Sequence, residues 1–490
     1  MKKFIALSVL GLLIMAFSAT AYAQPKLEFK ASGSINMETY WYQNVPRLFG
    51  AANMYGMNVA LVPANTLTTP DLNAWNRKNA WLDTRGSINF DFLMGKELGG
   101  RLAFEIDSVH WGDTGAATGN AGRWTTDAAA VEVKHLYFDV GLPYFGIPVP
   151  IMMRFGMQPL AVRPFIFLAN DGSGITTTVK VDPATINVYW FKAFEGGDYN
   201  ADDVDVYGLQ ASAAIGPLTA GGYGFFYNMN TYPLQTYTHR AEMWWLGVYA
   251  DGKVGPVNLN FDFIYDRGEV EDRVNQTWDE AKYRGWMTKV KIDFPWEMFN
   301  FGVQGLYGSG ADRNQTAATG LPRATKTKVG SFVVPPGSEA GPASSNDSSV
   351  MLSVHAGAAG GLGFANNLNG TSLNRGPVGG IWWAKLYGSV KPTPWYKVTL
   401  QGLYIGDTTD HGNTLGTALK SDGLTPRDDK GIGWELDLIN EFNVYANLKF
   451  DVAAGILFRG DALAMWNATT STNDKFRNPW AFTTRLTYSF

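Results

Sequence analysis

"VNLNFDFIYD", residues 257–266, alternates without a break: Val257, Leu259, Phe261, Phe263 and Tyr265 fall on one side and Asn258, Asn260 and Asp262 on the other. A strict period of two marks a strand with one apolar and one polar face. The pattern recurs along the chain. "RLAFEID" (101–107) sets Leu102, Phe104 and Ile106 against Arg101, Glu105 and Asp107, and "WMTKVKIDF" (286–294) sets Trp286, Val290, Ile292 and Phe294 against Lys289, Lys291 and Asp293. "WELDL" and "YANLKFDVA" repeat it, with Glu435, Asp437, Asn447, Lys449 and Asp451 on the polar side. A soluble sandwich would hide the apolar faces in a core. Here nearly every strand is two-faced and no amphipathic helices are available to cover a sheet, so the apolar faces meet lipid and the polar faces line a lumen.

Counting the breaks between strands gives the architecture. Short turns fall at 95–100, 141–149, 182–184, 216–218, 252–256, 294–298, 391–395 and 440–444. Longer connections fall at 44–80, 112–130, 159–174, 195–205, 229–241, 268–281, 309–378, 407–430 and 460–479. Eight turns and nine loops join eighteen strands, the alternative counts being sixteen, or more than eighteen where the long 309–378 connection holds a further hairpin. The expected fold is all-β, a transmembrane antiparallel barrel with short periplasmic turns, long extracellular loops and both chain ends on the periplasmic side. The uncharged run 206–238 holds Pro217 among glycines and reads as a hairpin rather than a membrane helix. The Gly- and Asn-rich run 351–374 reads as surface loop, and no block before the first strand at Leu27 suggests a plug.

The two ends carry further signals. "MKKFIALSVLGLLIMAFSATAYAQ" has Lys2 and Lys3, an apolar run and the small residues Ala21 to Ala23, the layout of a secretory signal over 1–23 with the barrel in 24–490. Its removal takes the net charge from −4 to −6, which gives nucleic acid no foothold. There is no cysteine, so disulfides and thiolate metal sites are excluded. The last residues, "NPWAFTTRLTYSF" (478–490), form a two-faced strand expected to pair with "LEFKASGSINMETYWYQ" (27–43), its terminal Phe490 and Tyr488 also serving as a signal to the outer-membrane assembly machinery.

"VEVKHLYFDVGLP" (131–143) and "IMMRFGMQPL" (151–160), with "GRLAFEIDSVHWGD" (100–113) and "DVDVYGLQ" (203–210), resemble blocks of the homotrimeric outer-membrane porins of sulfate-reducing and related bacteria. "IGWELDL" and "NLKFDVAAGILFRGDAL" resemble a pattern shared by bacterial porins and alginate-export-type barrels. The resemblance implies a homotrimer of water-filled channels in outer-membrane lipid, passing small hydrophilic solutes or ions. The alternatives are a dedicated export or transport channel, alginate-export-like or an electron-conduit barrel, and an adhesin or receptor barrel.

Enzyme readings find no support: G-x-S-x-G, H-E-x-x-H and P-loop motifs are absent, and the five histidines are scattered. No catalytic residue, metal or cofactor is expected. "DYNADDVDV", from Asp198, lacks the glycine and the bidentate Glu of a calcium loop and reads as a solvated acidic loop. The expected constriction is the loop 159–174, whose Leu160, Val162, Phe165, Ile166, Phe167 and Leu168 are too apolar for a loop washed by solvent and call for an inner wall, the alternative being that they seal a subunit contact. Arg163 and Asp171 flank this anchor. Opposite them the expected pore-lining residues are Arg85, Arg101, Glu105, Asp107, Lys134, Arg154, Lys289, Lys291, Glu435 and Asp437.

Overall fold

The structure, a computed structural model, describes residues 26–44, 78–112, 122, 124, 129–142, 149–197, 202–234, 239–272, 280–314, 326–340, 349–350, 373–467, 470–475 and 477–490. The expected secretory segment 1–23 lies outside them. The strands are β1 (Leu27–Gln43), β2 (Lys78–Met94), β3 (Leu98–His110), β4 (Glu132–Gly141), β5 (Ile151–Val162), β6 (Leu168–Val181), β7 (Ala184–Phe194), β8 (Val204–Ile215), β9 (Leu218–Tyr232), β10 (His239–Val254) and β11 (Val257–Asp272). They continue as β12 (Glu280–Tyr283), β13 (Trp286–Trp296), β14 (Phe299–Gly308), β15 (Lys326–Val329), β16 (Ile381–Thr393), β17 (Tyr396–Asp407), β18 (Gly431–Tyr445), β19 (Leu448–Arg459), β20 (Met465–Asn467), β21 (Thr472–Asp474) and β22 (Trp480–Ser489).

Each long strand pairs antiparallel with its neighbours in sequence, and β1 closes the circle, bonding β2 on one edge and β22 on the other, from Ser34↔Ser489 to Gln43↔Trp480. Closure gives every strand two partners, which a hydrocarbon surround demands of the backbone. β12 and β15 are short extensions, paired parallel to each other at the long-loop end, so eighteen strands form the wall. β20 and β21 make a separate small hairpin between β19 and β22.

Most breaks fall where the sequence puts them, with one clear displacement. The turn expected at 440–444 lies instead at 446–447, between Tyr445 and Leu448. "NEFNV" looks like a turn because of its asparagines, but Phe442 stacks on Tyr396 with ring centroids 4.8 Å apart and Glu441 pairs with Lys397 at 2.5 Å, so cross-strand contacts hold the segment extended.

The outer face is apolar, with aromatic bands near both ends. Near the long loops, Phe226 stacks on Trp244 (4.4 Å), Trp286 on Tyr307 (4.9 Å), and Trp434 lies beside Tyr404 (4.8 Å). Near the short turns, Trp395, Tyr396, Phe442 and Phe450 form a second band. Trp434 and Phe442 lie on one strand and one face, about 27 Å apart along it at the usual rise, the separation expected of interfacial girdles about an apolar belt.

The largest buried apolar cluster lies inside the barrel. Towards the long-loop end, Val204, Val206, Phe225, Tyr227, Met229, Met243, Trp245 and Ile264 point inward and are buried. Parts of the 309–380 connection cover them, with Phe332, Val333, Val334 and Val378 fully enclosed. The Trp245 indole N–H donates to the Val333 carbonyl (2.8 Å), while the Asp266 carboxylate accepts the backbone N–H of Val333 (2.9 Å) and of Gly285 (2.7 Å). Farther round, the Val350 N–H donates to Asp437 of β18 (3.1 Å). Of the run expected to be surface loop, 351–372 lies outside the described residues, but Leu373 and Asn374 are buried and part of this filling.

Candidate functional site

The segment 159–174 is not the open loop expected. Residues 159–162 and 168–174 belong to strands, joined by a five-residue turn, 163–167. Its path still brings it into the lumen. β5 pairs with β4 only up to Met157, and β6 pairs with β7 only from Ser173 onward, so between Gln158 and Gly172 the strand ladder runs only within the hairpin, which leaves the wall. The departure begins at Gly156, whose φ of +121° is open to glycine, and a Cβ there would collide with the Leu136 carbonyl. Gln158 fixes the root: it is 1% exposed, donates to the Gly174 carbonyl (2.9 Å) and accepts from the Thr176 hydroxyl (2.9 Å).

The tip docks on the opposite inner wall. Phe167 is fully buried, stacked on Tyr223 (5.3 Å) and flanked by Phe225 and Trp245. The turn is closed by the Ile166 and Phe167 N–H groups donating to the Arg163 carbonyl, both at 3.0 Å. The Arg163 guanidinium lies over the Tyr249 ring (4.8 Å), donates to Asp251 (2.5 Å) and to Asp262 (2.8 Å), and so ties the tip to β10 and β11. Burial disfavours its charge, but the hydrogen bonds to Asp262 and Asp251 outweigh that and raise its pKa, so the cation persists at every accessible pH. The in-folded long connection then rests on the tip: Ser338 donates to the Phe167 carbonyl (2.9 Å) and Glu339 N–H to the Ala169 carbonyl (2.8 Å).

The expected wall residues divide into two sets. On β2–β6 they form ion pairs whose cations keep contact with water, while Glu105, between Arg85 and Lys134, is 5% exposed and so does not line the water as expected. Arg101 grips Asp91 (2.6 and 3.0 Å), and Arg154 grips Asp139 (2.7 and 3.0 Å) while lying over Tyr137 (3.9 Å). Arg85 reaches Glu105 (2.9 Å), Lys134 bonds Glu105 and approaches Asp171 (3.3 Å), and His135 meets Asp171 at 2.8 Å. The side chains of Arg85, Arg101 and Asp171 are 38%, 33% and 31% exposed. On the far side, Lys289, Glu435 and Asp437 point inward as expected but are 3%, 2% and 0% exposed. They lie beneath in-folded loops, which takes them off the water-lined surface. Lys291 lies 4.0 Å from Asp293 and is largely covered. The side chain of Asp107 lies outside the described residues. Phe165 packs partly buried beside the tip, and Phe490 and Tyr488 lie outside on the lipid face, with Phe490 bonded through its backbone to Gly33.

Asp251, Tyr249 and Gln210 are the site residues that sequence reasoning missed. Alternation places Asp262 and Asn260 on the lumen side, but the bonds of Arg163 to Asp251 and Asp262 span 88 and 99 residues, and no local pattern carries them. Among the described residues, no group of three or more His, Asp or Glu side chains is arranged to hold a metal, and no helix is long and apolar enough to cross a membrane.

No protein-family model matches the chain, and no curated protein sequence matches it. Solved structures similar to it include Pseudomonas aeruginosa OpdQ (8% identity, 94% of this chain and 98% of that chain, TM-score 0.49). The outer membrane protein opdK from the same organism is similar at 9% identity over 94% and 98%, TM-score 0.47. OmpT, an outer membrane protein of Vibrio cholerae in its trimer form, is similar at 9% identity over 95% and 99%, TM-score 0.38. The eighteen-strand closure rests on the hydrogen-bond ladders of the chain itself.

Proposed function

We propose that the protein is an outer-membrane channel through which small hydrophilic solutes and ions diffuse passively, its short turns periplasmic and its long loops extracellular. The observation that carries this reading is the asymmetry of the lumen. Arg85, Arg101 and Asp171 on β2–β6 keep water contact while Lys289, Glu435 and Asp437, at the level of the hairpin and the in-folded loops, are sealed, so at that level the aqueous path is off-centre, between the β2–β6 wall and the docked hairpin. Fixed charges of both signs along such a path stabilise hydrated solutes without trapping them. The barrel is complete in one chain, and the trimer implied by the family resemblance places three such paths side by side. Phe490 seals the β1–β22 seam on the lipid side and acts as the assembly signal.

Proteoliposome swelling tests the reading. Vesicles holding the purified chain should swell in isosmotic glycerol or arabinose far faster than protein-free vesicles, and vesicles that stay as tight as the controls would contradict it. The filled long-loop half of the lumen favours, as a second reading, a narrower channel dedicated to one solute class. Swelling rates falling steeply between a pentose and a disaccharide would select it over general diffusion.

A further inference from the structure

On the short-turn side of the docked hairpin lies a cavity of about 490 Å³, bounded by 161–166 of the tip and by the inner faces of β8, β10, β11 and β13. Its charges cancel. Arg163 and Lys289 face Asp251 and Asp262, with Arg163 bonded to both carboxylates and Lys289 4.0 Å from Asp262. An anionic or cationic guest would shed its water there and meet charges already matched within the protein.

Outside those ion pairs the hydrogen-bonding groups that line the cavity are neutral. Tyr249 Oη accepts from the Gln210 amide (3.2 Å), which leaves its own O–H to donate. Gln210 is itself oriented by the Tyr189 hydroxyl (2.8 Å). Asn260 gives its amide nitrogen to Asp251, while its buried carbonyl oxygen has no hydrogen-bond partner. Beside these groups run the apolar edges of Ala161, Pro164 and Phe165. Ala161 also borders a second cavity of about 290 Å³, lined by the Arg154–Asp139 pair and by Gln158, Thr176, Thr178 and Tyr189.

We infer that the cavity under the hairpin is a binding site for a neutral polyhydroxylated solute, of the size of one or two sugar rings. A vacant acceptor, a vacant donor and an apolar strip match the hydroxyls and the C–H face of a pyranose, and the volume lies in the range of small-molecule sites, about 300–1,000 Å³. The inference rests on the channel reading, since it places the site beside the route of permeation.

The test is saturation-transfer NMR with calorimetry on the full chain in an amine-oxide detergent, which carries no sugar headgroup, with glucose, maltose, glucuronate and glucosamine as probes. Glucose and maltose should bind in the millimolar range, and the charged analogues should bind at least about tenfold more weakly. Tyr249→Phe keeps the ring under Arg163 but removes the donor, and should weaken sugar binding about tenfold, the value of one good hydrogen bond, in a barrel that far-UV circular dichroism shows to be folded. Phe165→Ala, at a partly exposed position, should weaken it as well. Absence of sugar binding by the folded protein, or glucuronate and glucosamine binding as tightly as glucose, would overturn the site. If the protein conducts without binding sugar, only this inference fails; if it binds sugar without conducting, only the channel reading fails.

Discussion

Arg163 shows how much one side chain can organise. Its backbone sits at φ +48°, a left-handed conformation that costs a non-glycine residue about 1–2 kcal/mol. Two carboxylates and the Tyr249 ring hold it there. Replacing it with Ala leaves Asp262, 1% exposed, without its closest cation. Breaking a buried pair from one side costs roughly 3–5 kcal/mol. Arg163→Ala should therefore lower the urea midpoint in micelles and open the tip to protease, and a variant as stable and as resistant as wild type would show that the pair does not hold the hairpin. A second residue-scale effect lies in the 408–430 connection. Asp422 accepts from the Thr425 hydroxyl and from the backbone N–H groups of Thr425 and Leu424 (both 2.9 Å), and these bonds, the hydroxyl first, lower its pKa to about 2. A depressed carboxylate pKa contributes to the turn above the unfolded value, and the contribution is lost as pH falls through about 2. A carboxyl-carbon titration should put the Asp422 midpoint near that value, and a midpoint near 4, the ordinary value, would refute the bonded turn.

At the scale of elements, the hairpin turns on its root. Gly156→Val places a Cβ against the Leu136 carbonyl at a φ that β-branched residues avoid, so the upper hairpin should fail to leave the wall along its native path. The docking can be read directly because the chain has no native cysteine. Ala169→Cys with Glu339→Cys brings together residues whose backbones already bond at 2.8 Å, and should form an intramolecular crosslink under mild oxidation in wild type but not in the Gly156→Val background. A crosslink of equal yield in both would mean that Gly156 does not direct the hairpin. How legible this was from sequence can be seen in the same segment. The apolar string Leu160 to Leu168 demanded an inner wall and found one, because hydrophobic burial is written in residue type. Its strand ladders look like loop in the sequence, since pairing that runs only within the hairpin leaves no signature beyond weak alternation. The filling of the lumen by 326–340 and 373–380 was invisible for a related reason: its partners, Trp245, Asp266 and Tyr232, lie far off in sequence.

At the scale of the molecule, the period-two pattern and the turn residues were enough to give the eighteen-strand wall and the pairing of first strand with last, because both depend on local alternation and on closure. Which inward residues meet water was not readable, because alternation gives the face and says nothing of what covers it; Asp437 and Arg101 look alike in sequence and differ entirely in exposure. In the proposed channel the closed barrel carries an off-centre aqueous path narrowed by the docked hairpin. Single-channel conductance in planar bilayers tests it most directly, comparing the full chain with a variant in which 159–171 is replaced by a two-residue Asn-Gly turn, which keeps the wall ladders of β5 and β6 intact. The full chain should give stable ohmic channels and the trimmed variant a severalfold larger conductance. Equal conductance in the two, or no channel from either folded protein, would contradict it.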